Sequence, residues 1–211
     1  MDSQSEPETR SEGACQSSEP LTQANWQARY DEGKTGWDRG QPNPMLAQWI
    51  DRGDLRPCSV LVPGCGRGHE VIALASLGFN VTAVDFADSA VQALERELRQ
   101  RNLQAKVIQS DLFAFDPSES FDAIYEQTCL CAVHPSQWEA YHASLLHWLR
   151  PGGNLFALFM QTEATQGPPF SCDLSKMQRL FRSDAWQWST EKHRVDHPMG
   201  LHELACVLTR L

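Results

Sequence analysis

Three glycines spaced G-x-G-x-G, two aspartates and a short polar run are the residues of this 211-residue chain whose types and spacing could hold a ligand. Gly64-Cys65-Gly66-Arg67-Gly68 follows a compact β-branched run, Ser59 to Gly64, and precedes a stretch of helical spacing, His69 to Leu77. Glycine lets the backbone approach a ligand closely, and the free N–H groups that open the next helix attract an anion. Asp85 closes a second apolar run, Asn80 to Asp85, and stands 17 residues after Gly68, placed to accept hydrogen bonds from a ribose. Asp111 repeats the device at the end of Ala105 to Asp111, and Glu126 to Thr128 follow a fourth apolar run. Such a set fits a cofactor that carries adenosine. Dinucleotide turns are spaced G-x-G-x-x-G, which disfavours NAD, whereas a turn that meets a single carboxylate, such as the methionine end of S-adenosylmethionine, needs no pyrophosphate cradle. On the turn alone, a nucleotide site or a merely structural bend stands level with that reading.

Seven cysteines, an odd number without C-x-x-C pairs, suit reduced thiols rather than a disulfide framework. Cys129-x-Cys131 with His134 lacks a second ligand pair at finger-like spacing, so no metal site is expected, and both cysteines read as small buried hydrophobes on a strand.

The elements that must position these residues alternate. After the Asn80 to Asp85 strand, Ser89 and Gln92 form an S-x-x-Q capping box for a helix whose Val91, Leu94 and Leu98 make one apolar stripe. Glu95 with Arg99, and Glu97 with Arg101, are favourable i,i+4 pairs on its other face. Phe121 to Leu130 reads as a strand. Pro135 opens a helix with Trp138, Tyr141, Leu145 and Trp148 at steps of three and four, which Pro151-Gly152-Gly153 ends. Asn154 to Met160 is a fifth strand, and further strands are expected near Trp186 to Val195 and Leu201 to Leu208. This alternation implies an α/β fold with a doubly wound, mostly parallel sheet and right-handed crossovers.

Length allows one such domain with a well-buried core. Residues Met1 to Pro20 carry five acids against one base and almost no apolar residue, so they are expected to be a disordered acidic tail ahead of a single domain, 21–211. The net charge of −9, with no clustered Lys or Arg, argues against nucleic acid as partner. No apolar run approaches a membrane span and the start lacks a secretory signal, so a cytoplasmic protein is expected.

Beyond these single features, the stretches Trp26 to Pro44, Leu61 to Val71, Ser110 to Phe113, Phe121 to Pro135, Leu149 to Gly153 and Gln166 to Phe170 together resemble the thiopurine methyltransferase superfamily, most closely its thiol and halide methyltransferase branch, the harmless-to-ozone-layer proteins. The resemblance covers nearly the whole chain after the tail. It implies a Rossmann-like class I methyltransferase with a seven-stranded sheet and an N-terminal lid, residues 21–50, over S-adenosylmethionine. By the same resemblance Trp26, Tyr30 and Trp37 belong to that lid, Gly64, Gly66 and Gly68 hold the methionine end, Asp85 the ribose, Asp111 with Leu112 the adenine, and Gln127 lies beside cofactor and acceptor. Indole faces attract a sulfonium cation, which suits such a lid.

The implied activity is methylation of a small thiol, hydrogen sulfide or methanethiol, by a monomer, with halide ions as a side acceptor and S-adenosylhomocysteine as the spent donor. Related loops often read G-G-P-P-Y, with a tyrosine hydroxyl facing the acceptor. Here Gln166-Gly167-Pro168-Pro169-Phe170 offers none, which leaves Glu126, His134 or a water to take a proton and makes Phe170 an apolar wall. The rivals are an N- or O-methyltransferase of a small heterocyclic metabolite and a non-catalytic S-adenosylmethionine-binding module.

Overall fold

A computed structural model describes residues 19–211, so the expected tail falls outside the described residues as far as position 18. Its eight strands form one sheet in the order β3-β2-β1-β4-β5-β8-β6, with β7 also paired to β8. The strands are β1 (Ser59–Pro63), β2 (Asn80–Asp85), β3 (Lys106–Gln109), β4 (Phe121–Gln127), β5 (Leu149–Gln161), β6 (Trp186–Trp188), β7 (His193–Asp196) and β8 (His202–Arg210). β3, β2, β1, β4 and β5 run parallel, and β8 turns back antiparallel on β5. The expected doubly wound, mostly parallel sheet is therefore present. Seven positions become eight strands because β6 and β7 share one edge of β8, on Leu208–Arg210 and His202–Ala205. Ser189 makes the break: its hydroxyl accepts the Val207 N–H at 3.3 Å, in place of a ladder carbonyl.

Among the described residues six α-helices cover the faces: α1 (Gln23–Asp31), α2 (Pro44–Asp51), α3 (His69–Ser76), α4 (Asp88–Gln100), α5 (Trp138–Trp148) and α6 (Leu174–Leu180). One core packs Tyr141, Leu145 and Trp148 of α5 with Phe159, Phe181 and Trp186. The other packs Met45, Leu46 and Trp49 of α2 with Leu74, Leu94 and Phe156. Leu74 and Phe156 are at most 1% exposed, and burying a side chain of that kind contributes about 1.5–3 kcal/mol. Residues 44–50, expected within the lid, are thus a core helix, started by the Asn43 side chain accepting the Met45 N–H and by Pro44 in its first turn.

Local expectations fail where a tertiary partner outbids the local one. The Ser89–Gln92 capping box does not form: Gln92 donates to Asp88 at 2.8 Å, and the Ser89 hydroxyl donates to Asp31 of α1 at 2.7 Å, fastening α1 to α4. The i,i+4 pairs do form, at 3.5 Å for Glu95–Arg99 and 3.1 Å for Glu97–Arg101. Pro151-Gly152-Gly153 does not cap α5. That helix passes straight into β5, and the three residues form an irregularity inside the strand, where a Cβ on Gly153 would stand 2.9 Å from the Asp122 carbonyl oxygen. β3 ends at Gln109, so Asp111 is not strand-terminal; it lies in the following turn, exposed, and accepts the Phe113 N–H at 2.9 Å. Cys129 and Cys131 are buried as expected but in the loop after β4, not on the strand.

Candidate active site

β1 has β2 on one side and β4 on the other, so the sheet reverses its winding between β1 and β4. There, beyond the carboxyl ends of the strands, lies a cavity of ≈ 440 Å³, a size suited to a small-molecule ligand. Gly64, Gly66 and Gly68 form part of its wall. Packing explains two of them: a Cβ on Gly64 would meet the Cys129 sulfur at 2.8 Å, and one on Gly68 would meet Leu94 at 2.4 Å. Both also have positive φ, 57° and 72°, where a side chain is strained.

Asp85 is the clasp of this turn. One carboxylate oxygen accepts the Gly66 N–H at 2.9 Å and the other the Ala87 N–H at 2.9 Å. Burial raises its pKa, with those two N–H groups pulling the other way. Each oxygen keeps a further lone pair for a ligand hydroxyl. Leu112 and Asp111 lie further along the same wall.

The segment from α1 to Gln41 roofs the cavity. Trp37 meets Trp26 edge-on at 5.5 Å and Tyr30 edge-on at 5.7 Å, and all three line the space. The Tyr30 hydroxyl stands 3.0 Å from where a Gly66 Cβ would be, so the turn and the roof touch. Burial and the nearby Asp85 charge push the Tyr30 phenol pKa up.

Several residues that hold the roof escape a reading by motif. Asp38 pairs with His69 at 2.8 Å and Arg67 at 3.3 Å, joining the roof to the glycine turn and α3. Arg39 pairs at 3.2 Å with Glu203 of β8, which also accepts from the Asn43 side chain at 3.2 Å. Glu203 is fully buried, and burial pushes its pKa up to about 7 despite Arg39. A signal for it was present: Glu203 shares a strand face with Ala205 and Val207, where a carboxylate needs a partner.

Beyond the glycine turn the wall is made by the loop after β4, Met160 and the Pro168–Pro169 pair. Gln127 lines it and accepts the Tyr125 hydroxyl at 2.9 Å. Thr128 has φ 56°, an uncommon value for a β-branched residue. Cys131, Val133 and His134 complete this part of the wall.

Two expected site residues are not brought to the cavity wall. Glu126 is 1% exposed and turns inward, where one oxygen accepts the Leu130 N–H at 2.6 Å and the other has no partner among the described residues. Burial pushes its pKa up to about 7. Phe170 is buried too: its N–H donates to the Cys131 carbonyl at 2.7 Å, and its ring buttresses His134 edge-on at 5.3 Å. It supports the wall without forming it.

Comparison with known proteins agrees with this architecture. "Probable thiol methyltransferase 2" of Arabidopsis thaliana is 31% identical over 158 residues, covering 74% of this chain and 70% of that protein. "Thiocyanate methyltransferase 1" of the same plant is 31% identical over 164 residues, covering 76% and 72%. Among solved structures, the Burkholderia thailandensis 1,6-didemethyltoxoflavin-N1-methyltransferase, with its substrate and S-adenosylhomocysteine bound, superposes with a TM-score of 0.75 at 21% identity, covering 92% of this chain and 93% of that one. The profile of the family described as thiopurine S-methyltransferase (TPMT) matches residues 21–206, from the roof segment into β8, and the chain belongs to that family.

Proposed function

We propose that this methyltransferase acts on a small thiol, hydrogen sulfide or methanethiol, and accepts halide ions at lower efficiency. The donor is S-adenosylmethionine. The residues present suit it: Asp85 offers free lone pairs for ribose hydroxyls, Leu112 gives an apolar face beside Asp111 for the adenine, and the glycine turn gives close backbone for the methionine end. Trp26, Tyr30 and Trp37 form an aromatic lid over a sulfonium cation, whose attraction to an indole face is worth roughly 0.5–2 kcal/mol. Gln127, on the cavity wall, is assigned the place beside donor and acceptor.

The observation that carries the acceptor class is the wall facing that junction. Cys131, Val133, Met160, Pro168 and Pro169 make it largely soft and apolar, with Thr128, His134 and Gln137 as its polar members. Largely apolar, polarisable walls favour a small soft nucleophile, which needs few hydrogen bonds, over a strongly hydrated oxygen nucleophile. Closing the roof over both reactants aligns nucleophile, methyl and leaving sulfur, the arrangement an in-line displacement requires. Names of the relatives, thiol and thiocyanate methyltransferases, point the same way. The test is turnover of labelled donor with sulfide, methanethiol, thiocyanate, iodide and a panel of heterocycles. A kcat/KM for the thiols at least tenfold above every heterocycle is expected; a heterocycle ahead of the thiols overturns the proposal.

A further inference from the structure

His134 ends the loop after β4 and precedes a 3₁₀ turn, Pro135–Gln137. Its Nδ1 caps that turn, accepting the Ser136 N–H at 3.2 Å, with the Ser136 hydroxyl 2.8 Å away. An N–H aimed at Nδ1 requires a lone pair there. The neutral ring then carries its proton on Nε2, and the opposite tautomer would leave the Ser136 N–H at the start of the turn unsatisfied. Nε2 itself has no hydrogen-bond partner among the described residues, while the residue lines the cavity. Phe170 holds the ring edge-on from behind, at 86° between planes. A ring fixed at Nδ1 by a backbone donor and braced by an aromatic edge presents one N–H in a defined direction.

We infer that His134 binds the methyl acceptor as a hydrogen-bond donor through Nε2–H, and that the acceptor enters the site already as an anion. This rests on the small-thiol reading above and reverses the role of proton acceptor that the loop sequence suggests for His134. Glu126, the other group considered for that role, is walled off from the cavity. The thiol gives up its proton to solvent before binding. Its sulfur lone pair then forms the new S–CH₃ bond, the bond between methyl and donor sulfur breaks with its electron pair going to that sulfur, and the products are the S-methylated acceptor, methanethiol from sulfide or dimethyl sulfide from methanethiol, and neutral-sulfur S-adenosylhomocysteine. No proton changes hands in the displacement. A charge-assisted N–H···S⁻ contact orients the anion without being consumed.

Two substitutions separate the roles. Asparagine places a side-chain oxygen where Nδ1 accepts and has nothing at Nε2, so His134→Asn keeps the cap and loses the donor. Glutamine places an amide N–H near Nε2 and loses the cap. With wild type and both variants first shown to bind S-adenosylhomocysteine by calorimetry, kcat/KM is measured for hydrogen sulfide and for thiocyanate, an acceptor with no proton to remove. Donor binding predicts that His134→Asn loses at least tenfold with both acceptors and that His134→Gln stays within about threefold. Loss of sulfide turnover in both variants with thiocyanate turnover intact would identify a general base and overturn the inference. A deficit in His134→Gln alone would reduce the residue to a cap, and overturn it too. Should wild type methylate no thiol and no thiocyanate, the small-thiol reading fails on its own. The contact is then read from thiocyanate binding to the S-adenosylhomocysteine complex: weaker in His134→Asn only if the inference holds, unchanged if it does not.

Discussion

Replacing Asp85 tests whether one carboxylate both shapes the glycine turn and holds the donor. Its oxygens take the N–H groups of Gly66 and Ala87, each at 2.9 Å, and the residue is 7% exposed. Asp85→Ala removes both acceptors and leaves two buried N–H groups unpaired. Each such loss costs about 1–3 kcal/mol, so a total near 2–5 kcal/mol is expected once some relaxation and water entry are allowed. Asp85→Asn keeps one oxygen and sets an amide N–H against the other backbone donor, which places its cost at roughly half, about 1–3 kcal/mol. Because burial already raises the Asp85 pKa, removing the charge returns part of that cost in the asparagine variant. Both variants lose a charge-assisted contact to the donor, worth about 1.5–3 kcal/mol, or more than tenfold in Kd. Urea unfolding gives the stabilities and calorimetry with S-adenosylhomocysteine gives the affinities. An alanine variant within 0.5 kcal/mol of wild type, on the roughly 1 kcal/mol scale of one hydrogen bond, refutes the clasp; an unchanged Kd refutes the ribose contact.

Three further outcomes are expected. Gly68→Ala should cost about 2–4 kcal/mol, from a strained backbone and a Cβ that would sit 2.4 Å from Leu94; in a Leu94→Ala background the cost should shrink by at least 1 kcal/mol, and additive losses in a double-mutant cycle would contradict that packing. Glu126 and Glu203 keep their protons to about pH 7 in the folded state but release them near 4.5 when unfolded, so the native state binds more protons between those values. Their contribution is fully present below pH 4.5 and is lost as pH rises to about 7, by up to ~3 kcal/mol each; Glu126→Gln should flatten thermal-shift profiles over that window, and an unchanged slope would count against a buried neutral Glu126. Asp38→Ala should raise the Kd for S-adenosylhomocysteine several-fold and speed amide exchange in residues 23–41, since two contacts of the roof end on that carboxylate; exchange as slow as wild type would show that the roof is held otherwise.

Much of the site was legible because its signals are local. The G-x-G-x-G turn, the strand ending on Asp85 and the stripe on α5 each depend on residues within one or two turns of each other, and the structure contains all three. The roof fasteners were not legible for the opposite reason: Arg39 and Glu203 are 164 positions apart, and Asp38 and His69 are 31 apart, so no periodicity links them. Ser89 shows how a correct local signal loses, since S-x-x-Q is a good cap sequence and yet the hydroxyl serves α1. Phe170, in a loop, and Glu126, at the end of β4, sit near the cavity but face away from it, a matter of side-chain direction that spacing does not encode.

The link from Arg39 to Glu203 bears on how the protein is made. A polypeptide emerging from the ribosome presents the glycine turn and the clasp early, while His202–Arg210 appears after every other described element. Until that stretch arrives, Arg39 has no carboxylate to meet and the covering over the donor lacks one of its moorings. The buried ion pair of the roof is thus among the last contacts the growing chain can complete.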